Sequence, residues 1–356
     1  MTIGSDPKRR KVIAYLAATE TGEVMDSGST ARRLPVLNHT AVQRYIGDVL
    51  ADIRAPLHSN LDYSGVDQAE KIAESIFRIV SGRRYCYLSQ TRSATYREPA
   101  LQVFAKDIAA QRPISFYYDI GGGYHAGISP TDLSLRFEPG LGEMLIVRQI
   151  SLLAKDVAEL YPHGIRFTLV IDNMCALLVN DIPLEKTEAF VYKLRAMIQC
   201  LQSPVDIEVL VESEHFSPGD YDRGLDTGQV VSRSLDTRAV ANVARFLGRH
   251  CNAHEASMRI NRYQHISEQT DHNINSLIVG IRMTQRATSQ TLPFRAFPGS
   301  DSRIQSGELA LFVDEQGNCK PALITTKNFE HQRLYELDLG PDIGGRSFPV
   351  LIGVRD

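Results

Sequence analysis

Tryptophan is absent from the 356 residues, which removes the usual aromatic anchor of carbohydrate sites and membrane interfaces. Cysteine is scarce and unpaired: Cys86, Cys175, Cys200, Cys251 and Cys319 lie far apart, with no CxxC among them. An odd, scattered set argues for reduced thiols and against a disulfide framework or a cysteine zinc site. No run approaches the ~18 apolar residues that cross a membrane. The apolar stretch behind the basic cluster Lys8, Arg9, Arg10 and Lys11 spans only about six residues, too short for the core of a secretion signal. These absences lead to the expectation of a cytoplasmic protein without a membrane partner. A basic surplus is missing too. The net charge of −3 and pI near 6.4 exclude the global positive field of a nucleic-acid binder, so no nucleic-acid partner is expected. Repeats and low-complexity segments are also lacking.

What is there is an ordinary globular composition, 43% hydrophobic and 23% charged, which excludes wholesale disorder. Residues 1–40, rich in Gly, Ser, Thr and Arg, read as an N-terminal extension. Helical spacing then appears over 41–53, with Val42, Tyr45, Ile46, Val49 and Ile53 on one face, over 66–80, and over 99–110. Residues 113–119 form a strand pattern ended by Gly121-Gly122-Gly123, a strong helix follows over 142–160, and 164–172 is a nearly continuous apolar run. Such a run is expected of a strand buried on both faces. Strand, helix and strand in that order imply a right-handed βαβ unit and a parallel sheet. A further helix over 184–201 and strand over 206–211 extend it. The Gly-, Asp- and Ser-rich stretch 213–237 reads as a long loop, and 236–268 as helix. Four short strand patterns, 277–283, 308–313, 322–326 and 333–337, mark the last eighty or so residues. The expected fold is α/β: a Rossmann-like, mostly parallel sheet flanked by helices over 41–275, with a strand-rich C-terminal part over 276–356 packed on it.

Several constellations bear on chemistry. Gly121-Gly122-Gly123 follows a strand as a phosphate loop does, yet GxGxxG spacing and a Walker lysine are both missing, which speaks against a dinucleotide site. Glu143 opens a helix on its apolar side. Either it is a helix-start carboxylate favoured by the macrodipole, or it lines a cleft at the carboxyl edge of the sheet. Asp172-Asn173 ends the most buried strand, where sites of parallel sheets collect; a turn-forming pair is the plainer alternative. His250 and His254 have the spacing of two helix-borne zinc ligands, but no third ligand and no HExxH order accompany them, so no metal is expected. Arg262 shares a stripe with Cys251 and Met258, snorkelling or awaiting an anion. Cys175 reads as a small hydrophobe rather than a nucleophile. Spacing alone supports an anion-binding α/β enzyme.

A more specific likeness runs from Pro113 to Met197. Pro113-Ile-Ser-Phe, Ser129-Pro130-Thr131, Glu138-Pro-Gly-Leu-Gly-Glu143, Glu159-Leu-Tyr-Pro-His-Gly164 and Ile171-Asp172-Asn173 occur in an order that resembles the isonitrile synthase family, the PvcA-like or pyoverdine/dityrosine biosynthesis proteins. Asn180-Asp181 and the following helix with Tyr192 continue it, and Arg262-Tyr263-Gln264 matches a later segment more weakly. The resemblance implies a Rossmann-like enzyme of secondary metabolism, a lyase or transferase that converts the amino group of an amino acid to an isonitrile. Ribulose 5-phosphate would supply the carbon as co-substrate, with no metal or organic cofactor, and a tailoring oxygenase would act downstream. Glu143 corresponds to the family's Pro-Asp-x-x-Glu glutamate and Asp172 to its Ser-Asp-Gly aspartate. The family's Lys-Ser-Pro-Asn reads here as Ile128-Ser129-Pro130-Thr131, and a second lysine shortly after it is also missing.

The site expected from all this has Glu143, Asp172 and His125 as proton-transfer residues. Arg136, Arg148, Arg262, Arg282, Ser129 and Asn173 are the substrate-binding candidates. Two alternatives stand beside the isonitrile reading because a lysine is the natural partner of a sugar phosphate and the natural former of an imine. One is a sugar-phosphate-independent amino-acid modification; the other is a catalytically silent amino-acid-binding subunit.

Overall fold

The computed structural model describes residues 39–59, 69–86, 90–121, 123, 125–126, 135–221, 237–284, 291–295, 309–313, 318–323, 332–338 and 349–355. The expected extension, except for its last two residues, lies outside that set, as do Ser129 and most of the 213–237 loop. Three helices come first: α1 (His39–Arg54), α2 (Ala69–Val80) and α3 (Gln90–Ala109). The third starts a good two turns ahead of the expected position, with Pro99 inside it. Proline suits a helix start, which is why the sequence pattern reads as beginning there. Burial of Tyr96, Ala100, Phe104 and Ile108, one turn apart, carries the helix through the lost hydrogen bond.

Strand β1 (Ile114–Asp119) leads through a two-stranded ribbon, β2 (His125–Ala126) and β3 (Leu135–Arg136), into α4 (Leu141–Ala158). Then come β4 (Ile165–Ile171), α5 (Asn173–Asn180), α6 (Leu184–Leu201), β5 (Asp206–Val211), α7 (Thr237–Leu247), α8 (Ala253–Leu277), β6 (Ile281–Thr284) and β7 (Leu292–Pro293). The core sheet runs β5-β4-β1-β6-β7, every pairing parallel. The chain winds outward from β1 to β5, then returns to the far side of β1 for β6. This is the doubly wound Rossmann order, and strand order reverses between β1 and β6. The α/β, Rossmann-like expectation is what the structure has.

On one face Phe116 packs between Phe104 and Phe167, with ring centroids 5.7 and 6.2 Å apart, and the apolar side of α4 covers them. On the other, Tyr117 and Val170 meet Ile274 of α8. Helix α4 is buried almost all round because α1, α2 and a second sheet close over its outer side. That second sheet has the order β10-β11-β8-β9, from β8 (Leu309–Val313), β9 (Cys319–Leu323), β10 (Gln332–Asp338) and β11 (Pro349–Arg355). Leu309, Leu311 and Val313 of β8 join the main core. The segment 276–356 therefore begins inside the core sheet, since β6 pairs with β1. Contact there is close: a Cβ on Gly280 would come within 2.6 Å of the Ser115 carbonyl.

Two other local differences matter for the site. Asp172-Asn173 does not make a turn but starts the short helix α5. The expected helix over 236–268 is two helices, broken where Gly248 takes φ +65° and restarted where Asn252 accepts a hydrogen bond from the Glu255 N–H. His250 and His254 fall on either side of that restart, both exposed.

Candidate active site at the carboxyl edge of the sheet

Parallel strands gather their functional groups at their carboxyl ends, and three of the five end here in a carboxylate. Asp119 is the last residue of β1, Asp172 follows β4 and Glu212 follows β5. The register pairs Ile171 with Val211, so Asp172 and Glu212 leave adjacent strands side by side, one strand spacing of ~4.8 Å apart. From the other side of β1, at the point where strand order reverses, Arg282 of β6 donates through Nε and Nη2 to Asp119 Oδ2, at 3.0 and 2.5 Å. The same Nη2 also bonds Asp271 of α8. Asp119 and Asp271 thus share one guanidinium, and Asp172 and Glu212 lie close enough to Asp119 to feel its charge.

Each carboxylate is held differently. Burial pushes the Asp119 carboxyl up from the usual range while Arg282 pulls it back, and its buried Oδ1 has no partner among the described residues. Glu212 is fully buried and well supplied: Oε2 accepts from the Met174 N–H at 3.2 Å, Oε1 accepts from the Tyr221 hydroxyl, and Thr270 bonds it as well. Those donors oppose the upward push of desolvation. Asp172 is raised furthest, first by burial and then by the charges of Glu212 and Asp119, and its buried Oδ1 has no partner among the described residues. Cys175 lies just inside, 5% exposed and in contact with Thr270, and burial with the neighbouring carboxylates keeps its thiol protonated. A groove of about 300 Å³ along α8, lined by Asp220, His265, Glu268, Gln269, His272 and Asn273, ends next to Tyr221 through Asn273. Among the described residues no His, Cys, Asp and Glu cluster is arranged to hold a metal ion, and no helix is long and apolar enough to cross a membrane.

Of the residues expected from sequence, Asp172 and Arg282 come together in this cluster. Asn173 adjoins it with a structural part: buried, it donates to Ser213 Oγ at 2.8 Å and to Thr187, and accepts from the Ser213 N–H at 3.0 Å. It clamps the start of α5 to the turn after β5. Glu143 is 2% exposed at the third position of α4, and its Oε2 accepts from the Gly140 N–H at 2.7 Å. The helix-start reading of that residue is met, at the end of α4 that faces the carboxyl edge. Arg148 pairs with Asp52 at 2.5 Å and so joins α4 to α1, while Arg262 donates to the Leu178 carbonyl on α5. His125 and Arg136 are opposite one another in the β2–β3 ribbon; their side chains lie outside the described set, as does Ser129. Of the three glycines, Gly121 and Gly123 take φ +83° and +74°, and the missing Cβ of Gly123 makes room for Phe190.

Asp119, Glu212 and Asp271 were not among the expected residues. The strand-end rule that singles out Asp172 applies equally to Asp119 and Glu212. Asp271 carried no signal, being one polar residue on a long helix.

No protein-family model matches this chain, and no curated protein does. Among solved structures it is similar to the crystal structure of the PvcA protein from Pseudomonas aeruginosa. The TM-score is 0.58 at 14% sequence identity, and the match covers 79% of this chain and 99% of that chain. At that identity the likeness is one of fold, and the PvcA-like architecture expected from residues 113–197 is the one observed.

Proposed function

We propose that this chain is an isonitrile-synthase-like enzyme, converting the amino group of an amino acid to an isonitrile with ribulose 5-phosphate as carbon donor. One observation carries the reading: a cluster of carboxylates, with an Asp172 whose Oδ1 has no partner among the described residues, at the edge where a PvcA-like fold presents its strand ends. An acidic cluster attracts an ammonium group and can take the protons that an amine loses as it becomes a nucleophile. In the first step the substrate nitrogen attacks the ketose carbonyl. The N–C bond forms, the nitrogen gives up two protons, and the carbonyl oxygen leaves as water, giving an imine. Asp172, Glu143 and His125 would shuttle protons between the nitrogen and the departing oxygen, while Arg282 keeps Asp119 in place.

A second reading is favoured by the charge balance. With Arg282 already shared by two carboxylates and the two family lysines replaced, the described part of the cluster is poorly suited to a phosphate. A sugar-phosphate-independent modification of an amino acid would suit the same residues.

The test is mass spectrometry of the purified chain incubated with pooled amino acids, with and without ribulose 5-phosphate. A product heavier by one carbon and lighter by two hydrogens, formed only with the sugar, supports the first reading. A sugar-independent product replaces it with the second, and an amino acid bound but unchanged leaves a silent binder.

A further inference from the structure

Aspartate is a favoured helix N-cap because its carboxylate accepts the free N–H groups of the first turn. Asp172 occupies that position on α5 with φ −86° and ψ 55°, yet its side chain makes no cap hydrogen bond. The N–H of Met174, the second helical residue, goes instead to Glu212 Oε2, reaching across from the neighbouring strand. Glu212 thereby takes over the cap and, with Tyr221 and Thr270, collects three donors. Asp172 is left with an orphaned oxygen.

Two carboxylates leaving adjacent strands into a largely buried site cannot both ionise cheaply, and the one with more donors keeps the charge. We propose that Asp172 and Glu212 form a two-carboxylate acid–base pair in which Glu212 holds the negative charge and Asp172 holds the proton at neutral pH. Glu212 is then a positioning residue that acts through Asp172, and Asp172 is the acid offered to the substrate. The inference deepens the proposed function by assigning the proton within its site. The other groups facing the pair agree with it: Asp119 on β1 adds negative charge, Arg282 on β6 is already shared between Asp119 and Asp271 of α8, and Cys175 of α5 stays neutral. Burial raises both carboxyls, and that of Asp172 further.

Infrared difference spectroscopy of the full chain in D₂O tests this without substrate. Wild type should show the carbonyl stretch of a protonated carboxyl at neutral pH, lost in D172N and retained in D119N. In E212Q the band should disappear at a lower pH than in wild type, because the nearest negative charge has gone. Y221F strips a donor from Glu212 and should weaken the Asp172 band in favour of one belonging to Glu212. A band lost in E212Q but kept in D172N would put the proton on the wrong residue and overturn the assignment. So would the absence of any protonated carboxyl at neutral pH, or an E212Q band that titrates as in wild type. Should E212Q fail to fold, D172N and Y221F still decide. The spectra as described combined with no isonitrile in the mass assay would sink the proposed function alone.

Discussion

Replacing Arg282 by Met removes the cation that Asp119 and Asp271 share while keeping much of the side-chain volume. Arg282 is 13% exposed, and its partners Asp119 and Asp271 are 20% and 45% exposed. Breaking a buried ion pair costs about 3–5 kcal/mol because the remaining charge is left desolvated. The exposed arm to Asp271 adds little, since such pairs are worth about 0–1 kcal/mol. Partial exposure of Asp119 places the total near the lower bound, about 3 kcal/mol. With a urea slope of about 3 kcal/mol per molar, the denaturation midpoint should fall by about 1 M.

The penalty should also depend on pH, with a definite sign. In wild type the Asp119 carboxyl already titrates above its unfolded range, and losing Arg282 removes the charge and hydrogen bonds that restrain it. A carboxyl raised in the folded state contributes stability that is fully present below its unfolded pKa and lost as pH rises through its folded one. Acidification therefore lets Asp119 neutralise and relieves the variant. Urea denaturation of wild type and R282M at pH 5 and pH 8 should show the larger difference at pH 8. Equal penalties at both pH values, or a midpoint unchanged at pH 8, would refute the argument that Arg282 holds a desolvated charge. R282K, which keeps the charge but not the fork that binds two carboxylates, should fall between the two.

Two further outcomes are expected. Glu143→Gln should lower turnover while changing stability by less than about 1 kcal/mol, because the amide oxygen can still accept from the Gly140 N–H; unimpaired turnover in a folded variant would remove Glu143 from the chemistry. Cys175, buried beside carboxylates that keep its thiol protonated, should resist a thiol-specific disulfide reagent in the native chain and react only after denaturation, whereas the partly exposed Cys200, Cys251 and Cys319 react first. Mass mapping of the labelled cysteines would show the opposite order if the site were open to solvent.

Much of the scaffold is written in local patterns. The period of 3.6 in α1, α2 and α4, and the unbroken apolar run of β4, mark their elements because each side chain's burial follows from its position along one helix or strand. Asp172 was legible for the same reason: it stands where a buried strand must end. Pattern reading failed where a local preference was overridden by packing, as at Pro99 inside α3. It also failed where one residue interrupts a period, as at Gly248 between α7 and α8.

The residues alone thus determined an α/β chain with a parallel sheet, and a carboxylate, Asp172, at the end of its most apolar strand pattern. The site itself was decided by tertiary structure. Asp119 and Arg282 meet across 163 residues only because the chain returns to the far side of β1, and no periodicity encodes the order of strands in a sheet. Glu212 reaches Met174 because β5 lies next to β4 in one register. The protonation of these groups follows from desolvation and from the distribution of donors among neighbouring elements. Both are properties of space rather than of sequence, and both arise when three strand ends share one largely buried edge.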